Sequence, residues 1–269
     1  MKLSLITNNP VLANLAEDVG IDRILIDLER LGKAERQINR CLFLSDHCFN
    51  DIERIRRVLN RANLMVRIDP LHYDTKVQVN NVIDAGADLV MLPYFHRLDE
   101  ARHFLDLVGN RAATVLLVET REAAEVLGEL TNLPGLSEIH IGLNDLSISS
   151  GKAFLFDLIA DGTIDDLCNT LRSSGLPFGF GGIGSLRRRD LPIPPELILA
   201  YQVYQGSSLG WLGRSFREIE SSFWKEDVDA LHQTIALWKS ADTGEYERMR
   251  ISVLHHISNH RTKSLHLLN

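Results

Sequence analysis

The stretch LVMLPYFHRLDEARHFLDLVGNRAATVLLVE (residues 89–119) reads as strand, helix, strand. Leu89–Leu92 and Val115–Glu119 are short apolar runs with little alternation, the pattern of parallel strands covered on both faces. Between them, Leu98–Val108 carries apolar residues at helical spacing.

The same unit recurs in both directions along the chain. Further strand-like runs are Leu3–Thr7, Arg23–Asp27, Leu64–Asp69, Glu138–Ile141, Phe178–Gly182 and Ser207–Leu212. Helical spacing marks Pro10–Val19, Phe49–Arg61, Thr75–Ala85, Arg121–Leu130, Asp165–Ser174 and Pro195–Gln205. Strands alternating with helices in this way favour an α/β fold, a closed (β/α)8 TIM barrel, over an open doubly wound sheet. From about Ser221 the pattern becomes helix only, so the expected organisation is a barrel over 1–220 and a C-terminal helical extension over 221–269. The apolar positions of that extension (Val228, Leu231, Ile235, Leu237, Trp238) need a surface to cover, on the barrel itself or on a neighbouring subunit.

Composition fits this reading and excludes others. The chain has 269 residues, 45% hydrophobic and 24% charged, values of an ordinary globular protein rather than a disordered or fibrous one. Its 29 Lys and Arg against 36 Asp and Glu give a formal net charge of −7, which argues against a dedicated nucleic-acid surface. No window approaches 18 continuous apolar residues, and MKLSLITNNP has no signal-peptide pattern. Cys41, Cys48 and Cys168 fit no metal or redox spacing and suit a reducing compartment. The expectation is a cytoplasmic protein with no membrane or nucleic-acid partner.

Chemistry-bearing residues gather at strand C-termini, the end of a barrel where active sites are built. Asp27 and Glu29 follow RILI, Glu119 ends VLLVE, and Asp145 follows EIHIGLN. Glu119 and Asp145 become neighbours if their strands pair. Two convergent carboxylates without a nearby lysine repel each other unless a cation joins them, and hard oxygen ligands suit Mg²⁺ or Mn²⁺. The alternative is helix capping, by Asp145 for a turn beginning at Leu146 and by Glu119 for the helix at Arg121. Arg67 ends LMVRID on the same face and offers a bidentate fork to a carboxylate, or else a structural salt bridge. GFGGIG (Gly179–Gly184) matches a dinucleotide fingerprint only superficially, since Pro192, Pro194 and Pro195 forbid the helix that must follow. Arg187, Arg188 and Arg189 lie where such barrels often hold phosphate, though a solvated basic run explains them as well. His255, His256 and His260 read as a surface helix face, without a carboxylate partner in the sequence.

GIDRILIDLER (20–30), MVRID (65–69), IDAGADLVMLPYF (83–95), VLLVETREA (115–123) and IHIGLNDLSISSG (139–151) together resemble the HpcH/HpaI aldolase and citrate lyase β-subunit superfamily. The likeness covers residues 1–150 well and is looser beyond, resting on GFGGIG and QGSSLGWLGRSF (205–216). The resemblance implies a metal-dependent carbon–carbon lyase that works through a pyruvate-type enolate on an α-keto acid or its aldol adduct. It implies Glu119 and Asp145 as ligands of Mg²⁺ (or Mn²⁺ or Co²⁺). It implies Arg67 at the keto-acid carboxylate and enolate oxygen, and backbone N–H groups around Asn144 and Asp145, with Pro93, at the substrate. Catalytic roles fall on Arg67 and on the segment Asp27-Leu28-Glu29-Arg30. There the chain departs from pattern: HpaI-like members carry histidine and citrate-lyase-like members aspartate where this chain has Arg30, and arginine cannot shuttle protons near neutral pH. Water on the metal, whose pKa a bound cation lowers, is one substitute, and His72, His96 and Glu29 are others. The resemblance also implies a homo-oligomer, a trimer or hexamer. Two alternatives stand beside the aldolase: citrate-lyase-like cleavage of an acyl-CoA, with Arg187–Arg189 toward the CoA phosphates, and a degenerate barrel that binds metal and keto acid without catalysis.

Overall fold

The computed structural model describes residues 1–33 and 45–266, so Cys41 lies outside the described residues. Eight parallel strands form a closed barrel in chain order: β1 (Lys2–Ile6), β2 (Arg23–Asp27), β3 (Asn63–Arg67), β4 (Leu89–Leu92), β5 (Ala113–Val118), β6 (Glu138–Ile141), β7 (Phe178–Ile183) and β8 (Leu209–Leu212). β8 closes on β1 through Lys2↔Leu209 and Ser4↔Trp211. The outer helices are α1 (Pro10–Asp18), α2 (Phe49–Arg56), α3 (Thr75–Asp84), α4 (Leu98–Val108), α5 (Arg121–Glu125), α6 (Leu127–Leu130), α7 (Leu143–Ser149), α8 (Asp157–Ala160), α9 (Thr163–Ser174) and α10 (Pro195–Tyr204). After the barrel come α11 (Arg214–Arg217), α12 (Trp224–Lys239) and α13 (Thr243–His266). Among the described residues no helix is long and apolar enough to cross a membrane.

The strands look continuously apolar because each feeds two cores. Successive side chains point to opposite faces. Ile24 and Ile26 therefore pack outward under the helices, in the core shared with Leu64, Val66, Val90 and Leu116. Leu25 points inward and meets Met65, Met91, Val115 and Leu117 along the barrel axis. This inner apolar layer lies between two charged ones. At the lower end Arg23 donates from Nη1 and Nη2 to both oxygens of Glu138 across the barrel, at 2.6 Å each. Burial, then the Arg23 charge, pushes His140 down to about 3, so its imidazole is neutral beside that pair. At the upper end stand Asp27 and Arg67, ladder partners on β2 and β3.

Local departures from the sequence reading have tertiary causes. The helix expected over Phe49–Arg61 stops at Arg56, because the buried Glu17 carboxylate accepts the backbone N–H groups of Asn60, Arg61 and Ala62. Arg121–Leu130 breaks into α5 and α6 at Val126. The C-terminal helices cover their own barrel. Trp224, Val228, Leu231 and Ile235 of α12 and Met249, Val253 and Ile257 of α13 are buried, with both helices packed on α10. Arg250 and Arg261 pin α13 to Asp165 and Asp157. Trp224, Leu231 and Ile235 therefore need no neighbouring subunit to bury them.

Arg23→Leu should cost about 3–5 kcal/mol, because it strands the Glu138 carboxylate inside the barrel. The double variant Arg23→Met/Glu138→Leu should recover most of that loss, since two apolar side chains leave no uncompensated charge. Urea unfolding of the three proteins checks both outcomes.

Candidate active site

A cavity of about 270 Å³ opens at the C-terminal ends of the strands. Asp27, Lys33, Arg67, Glu119, Asn144 and Asp145 line it, with Trp211 below and Arg214 and Arg217 on the β8 side. One half of this mouth is a closed ion-pair network. Arg67 gives Nε to Asp27 Oδ1 at 2.8 Å and Nη2 to Oδ2 at 2.7 Å, and its Nη1 lies 3.3 Å from Glu29 Oε2. Its guanidinium also sits 5.5 Å from the Trp211 ring centroid, in cation–π range. Lys33 Nζ lies 3.0 Å from both Asp27 Oδ2 and Glu29 Oε2. Burial alone would raise the Asp27 pKa, but the Arg67 charge and hydrogen bonds, joined by Lys33, hold it well below the usual carboxylate range. The same contacts outweigh the burial of Arg67 and keep it charged.

The other half carries the opposite imbalance. Burial first, then the neighbouring Glu29 and Asp145 charges, push Glu119 well above the ordinary glutamate range, against the opposing charges of Arg67 and Lys33. Its Oε1 accepts the Tyr94 N–H at 3.0 Å, and Tyr94 has φ 45°, a left-handed conformation that a non-glycine residue seldom adopts. Its Oε2 lies against Gly142, where an added Cβ would come within 2.5 Å of that oxygen and 2.6 Å of the Glu119 Cβ. Glycine at 142 is therefore what lets the carboxylate lie between β5 and β6. Gly142 also starts α7, which brings Asp145 into the mouth in its first turn. Neither carboxylate is a helix cap of the kind the sequence offered as an alternative. Thr120 caps α5 by accepting from Ala123 N, and α7 begins at Leu143 rather than Leu146.

The remaining candidates separate cleanly. Arg30 turns away from the mouth: its Nη2 donates to His47 O at 2.9 Å, and it lines a second cavity with Cys48, Asp69 and His72. His72 belongs to that second cavity, and His96 lies near the surface with Nδ1 3.3 Å from Glu122. Pro93 is buried and does not line the mouth. Arg187, Arg188 and Arg189 pair with Glu226, with Asp190 and Glu218, and with Glu196, so each guanidinium is engaged by an acid of its own chain. Among the described residues no group of three or more His, Cys, Asp and Glu stands ready to hold a metal, the C-terminal histidines included.

Lys33 and His47 escaped the sequence reading, as did Trp211, Arg214 and Arg217 in the lining. Lys33 sits beside Asp27 and Glu29, where no lysine was expected; its spacing of four from Glu29 was the available signal. His47, whose Nδ1 accepts the Asp27 backbone N–H at 3.0 Å, had no local signal at all. Burial lowers its pKa, consistent with that bare, neutral nitrogen.

The low Asp27 pKa makes stability acid-sensitive. A carboxyl with a depressed folded pKa stabilises above its unfolded value, about 3.9, and that contribution is lost as pH falls through the folded value. Wild-type Tm should therefore fall steeply from about pH 5 downward. Asp27→Asn should lower Tm at neutral pH and flatten its slope in acid, as read by calorimetry.

No protein-family model matches the chain, and no curated protein matches it in sequence. Solved structures do. An HpcH/HpaI aldolase from Desulfitobacterium hafniense DCB-2 superposes with a TM-score of 0.62 at 14% identity, covering 90% of this chain and 94% of the other. An HpcH/HpaI aldolase/citrate lyase family protein from Burkholderia cenocepacia J2315 gives 0.61 at 14%, covering 86% and 93%. The citrate synthase SbnG gives 0.61 at 16%, covering 88% and 94%. With its eight-stranded closed barrel and C-terminal helices, this chain has the fold of the HpcH/HpaI aldolase and citrate lyase family proteins.

Proposed function

We propose that this protein is a metal-dependent carbon–carbon lyase acting on an α-keto acid or its aldol adduct through a pyruvate-type enolate. The observation that carries the reading is the divided mouth: an arginine fixed by two carboxylates on one side, and the Glu119–Asp145 carboxylates on the other. Ionised Glu119 is disfavoured where it lies, and a divalent cation would relieve that penalty. The donor set, carboxylate oxygens just beyond the ends of adjacent strands β5 and β6, suits Mg²⁺ or Mn²⁺. Glu119 and Asp145 would hold the ion, which would supply Lewis-acid polarisation of the keto carbonyl.

The chain's own residues do the rest. Arg67 places a permanent positive charge where the enolate oxygen develops, and a preorganised charge of this kind needs no reorganisation as the bond breaks. Asp27, Glu29 and Lys33 fix its plane. Backbone around Asn144 and Asp145 faces the keto-acid carboxylate in this reading. Proton transfer falls to groups beside Arg67, Glu29 and Lys33 foremost, because Arg30, His72 and His96 stand elsewhere. The likeness to aldolase and citrate lyase family folds supports a lyase of this general kind. The reading includes a homo-oligomer; Leu237 and Ile251, 67% and 68% exposed, are apolar positions left for such contact.

Glu119→Gln and Asp145→Asn should each abolish the Mg²⁺- or Mn²⁺-induced rise in Tm. Without metal, Glu119→Gln should be at least as stable as wild type at pH 8, because it removes a carboxylate whose raised pKa makes ionisation unfavourable. Titration calorimetry and thermal melts decide this, and undiminished metal binding by the double variant would overturn the ligand assignment.

Wild type with saturating Mg²⁺ or Mn²⁺ should decarboxylate oxaloacetate or exchange the methyl protons of pyruvate in D₂O. Arg67→Lys should slow either reaction by at least tenfold, since lysine cannot make the bidentate pair with Asp27. Failure of wild type in both assays would sink the lyase reading in favour of a ligand-binding barrel.

A further inference from the structure

We infer that Trp211 is a positioning residue for the reaction proposed above: its indole holds the Arg67 guanidinium over the mouth from across the barrel. The inference rests on the keto-acid reading for what Arg67 does, but the contact between the two side chains stands independently of it. Trp211 lies on β8, packs against the inner apolar layer and lines the mouth. Its ladder partner is Ser4 on β1. The stagger of strands in a closed barrel brings its ring to Arg67, three strands away on β3.

The carboxylates around Arg67 leave one movement weakly controlled. Asp27 takes Nε and Nη2, and Glu29 lies near Nη1, so these contacts meet the edge of the guanidinium and come from β2 and the loop after it. Hydrogen bonds at the edge fix a guanidinium within its own plane and resist tipping out of it less well. Trp211 supplies the missing restraint. The guanidinium carbon lies over its ring, 5.5 Å from the centroid, so tipping in that direction meets the indole. The aromatic face is the negative part of the ring quadrupole, and its attraction for a cation grows with desolvation. Arg67 is only 8% exposed.

The indole is itself supported. His140 on β6 meets it in a T-shaped contact, with ring centroids 6.0 Å apart and planes at 82°. His140 is fully buried, and among the described residues neither of its ring nitrogens has a hydrogen-bond partner. Its place in the barrel is therefore explained by packing against Trp211 and not by a polar network. Contacts running from His140 through Trp211 to Arg67 cross the barrel and fix where the positive charge stands. Preorganised charge stabilises a developing oxyanion only when the geometry is held to within about 0.5 Å.

Oxaloacetate decarboxylation with saturating Mn²⁺, together with the NMR signal of Arg67 Nε–H, tests this on the full chain. Trp211→Leu should lower kcat at least tenfold while moving KM less than threefold. Trp211→Phe, which keeps an aromatic face, should be at least fivefold faster than Trp211→Leu. Because the loss runs through Arg67, adding Trp211→Leu to Arg67→Lys should slow that variant less than threefold further. The Nε–H signal, assigned by its absence in Arg67→Lys, should exchange with solvent at least tenfold faster in Trp211→Leu than in wild type. Losses that multiply in the double variant, an unchanged Nε–H, or a Trp211→Phe no faster than Trp211→Leu each overturn the positioning role. If Trp211→Leu does not fold, 5,7-difluorotryptophan makes the same comparison without changing the ring's shape. It should lower kcat and speed Nε–H exchange at least twofold in wild type and do neither in Trp211→Phe, where only Trp224 and Trp238 carry the label; no effect in wild type overturns the role. If wild type is inactive and Nε–H still responds to Trp211, the lyase reading fails and the restraint on Arg67 stands. If wild type is active and Nε–H does not respond, the reverse holds.

Discussion

A fully charged arginine buried at the top of a barrel is the constraint around which the mouth is arranged. Removing a guanidinium from water costs several kcal/mol unless carboxylates surround it in good geometry. Asp27 meets that need because it is the ladder partner of Arg67 on the adjacent strand, so the bidentate pair is written into the strand register. Glu29 and Lys33 then close the network from the loop after β2. The same solution recurs at the lower end, where Arg23 and Glu138 pair across the axis. Between the two charged ends the barrel is filled by Leu25, Met65, Met91, Val115 and Leu117.

That arrangement commits Arg67 and Lys33 to Asp27 and Glu29, and their charges only partly offset the burial of Glu119 at the end of β5. Glu119 is put there by three backbone features: the end of β5, the strained Tyr94 turn that aims an N–H at it, and the Cβ-free approach of Gly142. A carboxylate placed with such care in an unfavourable electrostatic position is the kind of local conflict that functional sites carry. In the proposed reading a cation resolves it, and Arg67 stays free of that duty to face the reacting oxygen.

The surface follows a different rule. Arg187, Arg188 and Arg189 look in sequence like a basic patch, yet each meets an acid contributed by another turn of the chain. Arg214 and Arg217, inconspicuous in sequence, open into the mouth because they follow β8 directly. The sign of a charge could be read from the chain; what it faces could not.

Much of the fold was legible without coordinates. All eight strands lie within a few residues of their apolar runs, because a strand that feeds two cores must be apolar throughout. The positions of Asp27, Arg67, Glu119 and Asp145 at or just beyond strand C-termini were legible for the same reason: once the barrel is recognised, every strand end opens on one face. Short α7 and α8 had too few turns to show a period, and α2 stops early because Glu17, more than 40 residues away, captures the backbone after it. Only tertiary structure turned Arg30 away from the mouth, brought in Lys33 and His47, and laid the C-terminal helices on their own barrel. Where strands and helices lie along the chain depends on periodicity, which is local, whereas the direction of a loop side chain depends on which distant charge or surface it meets.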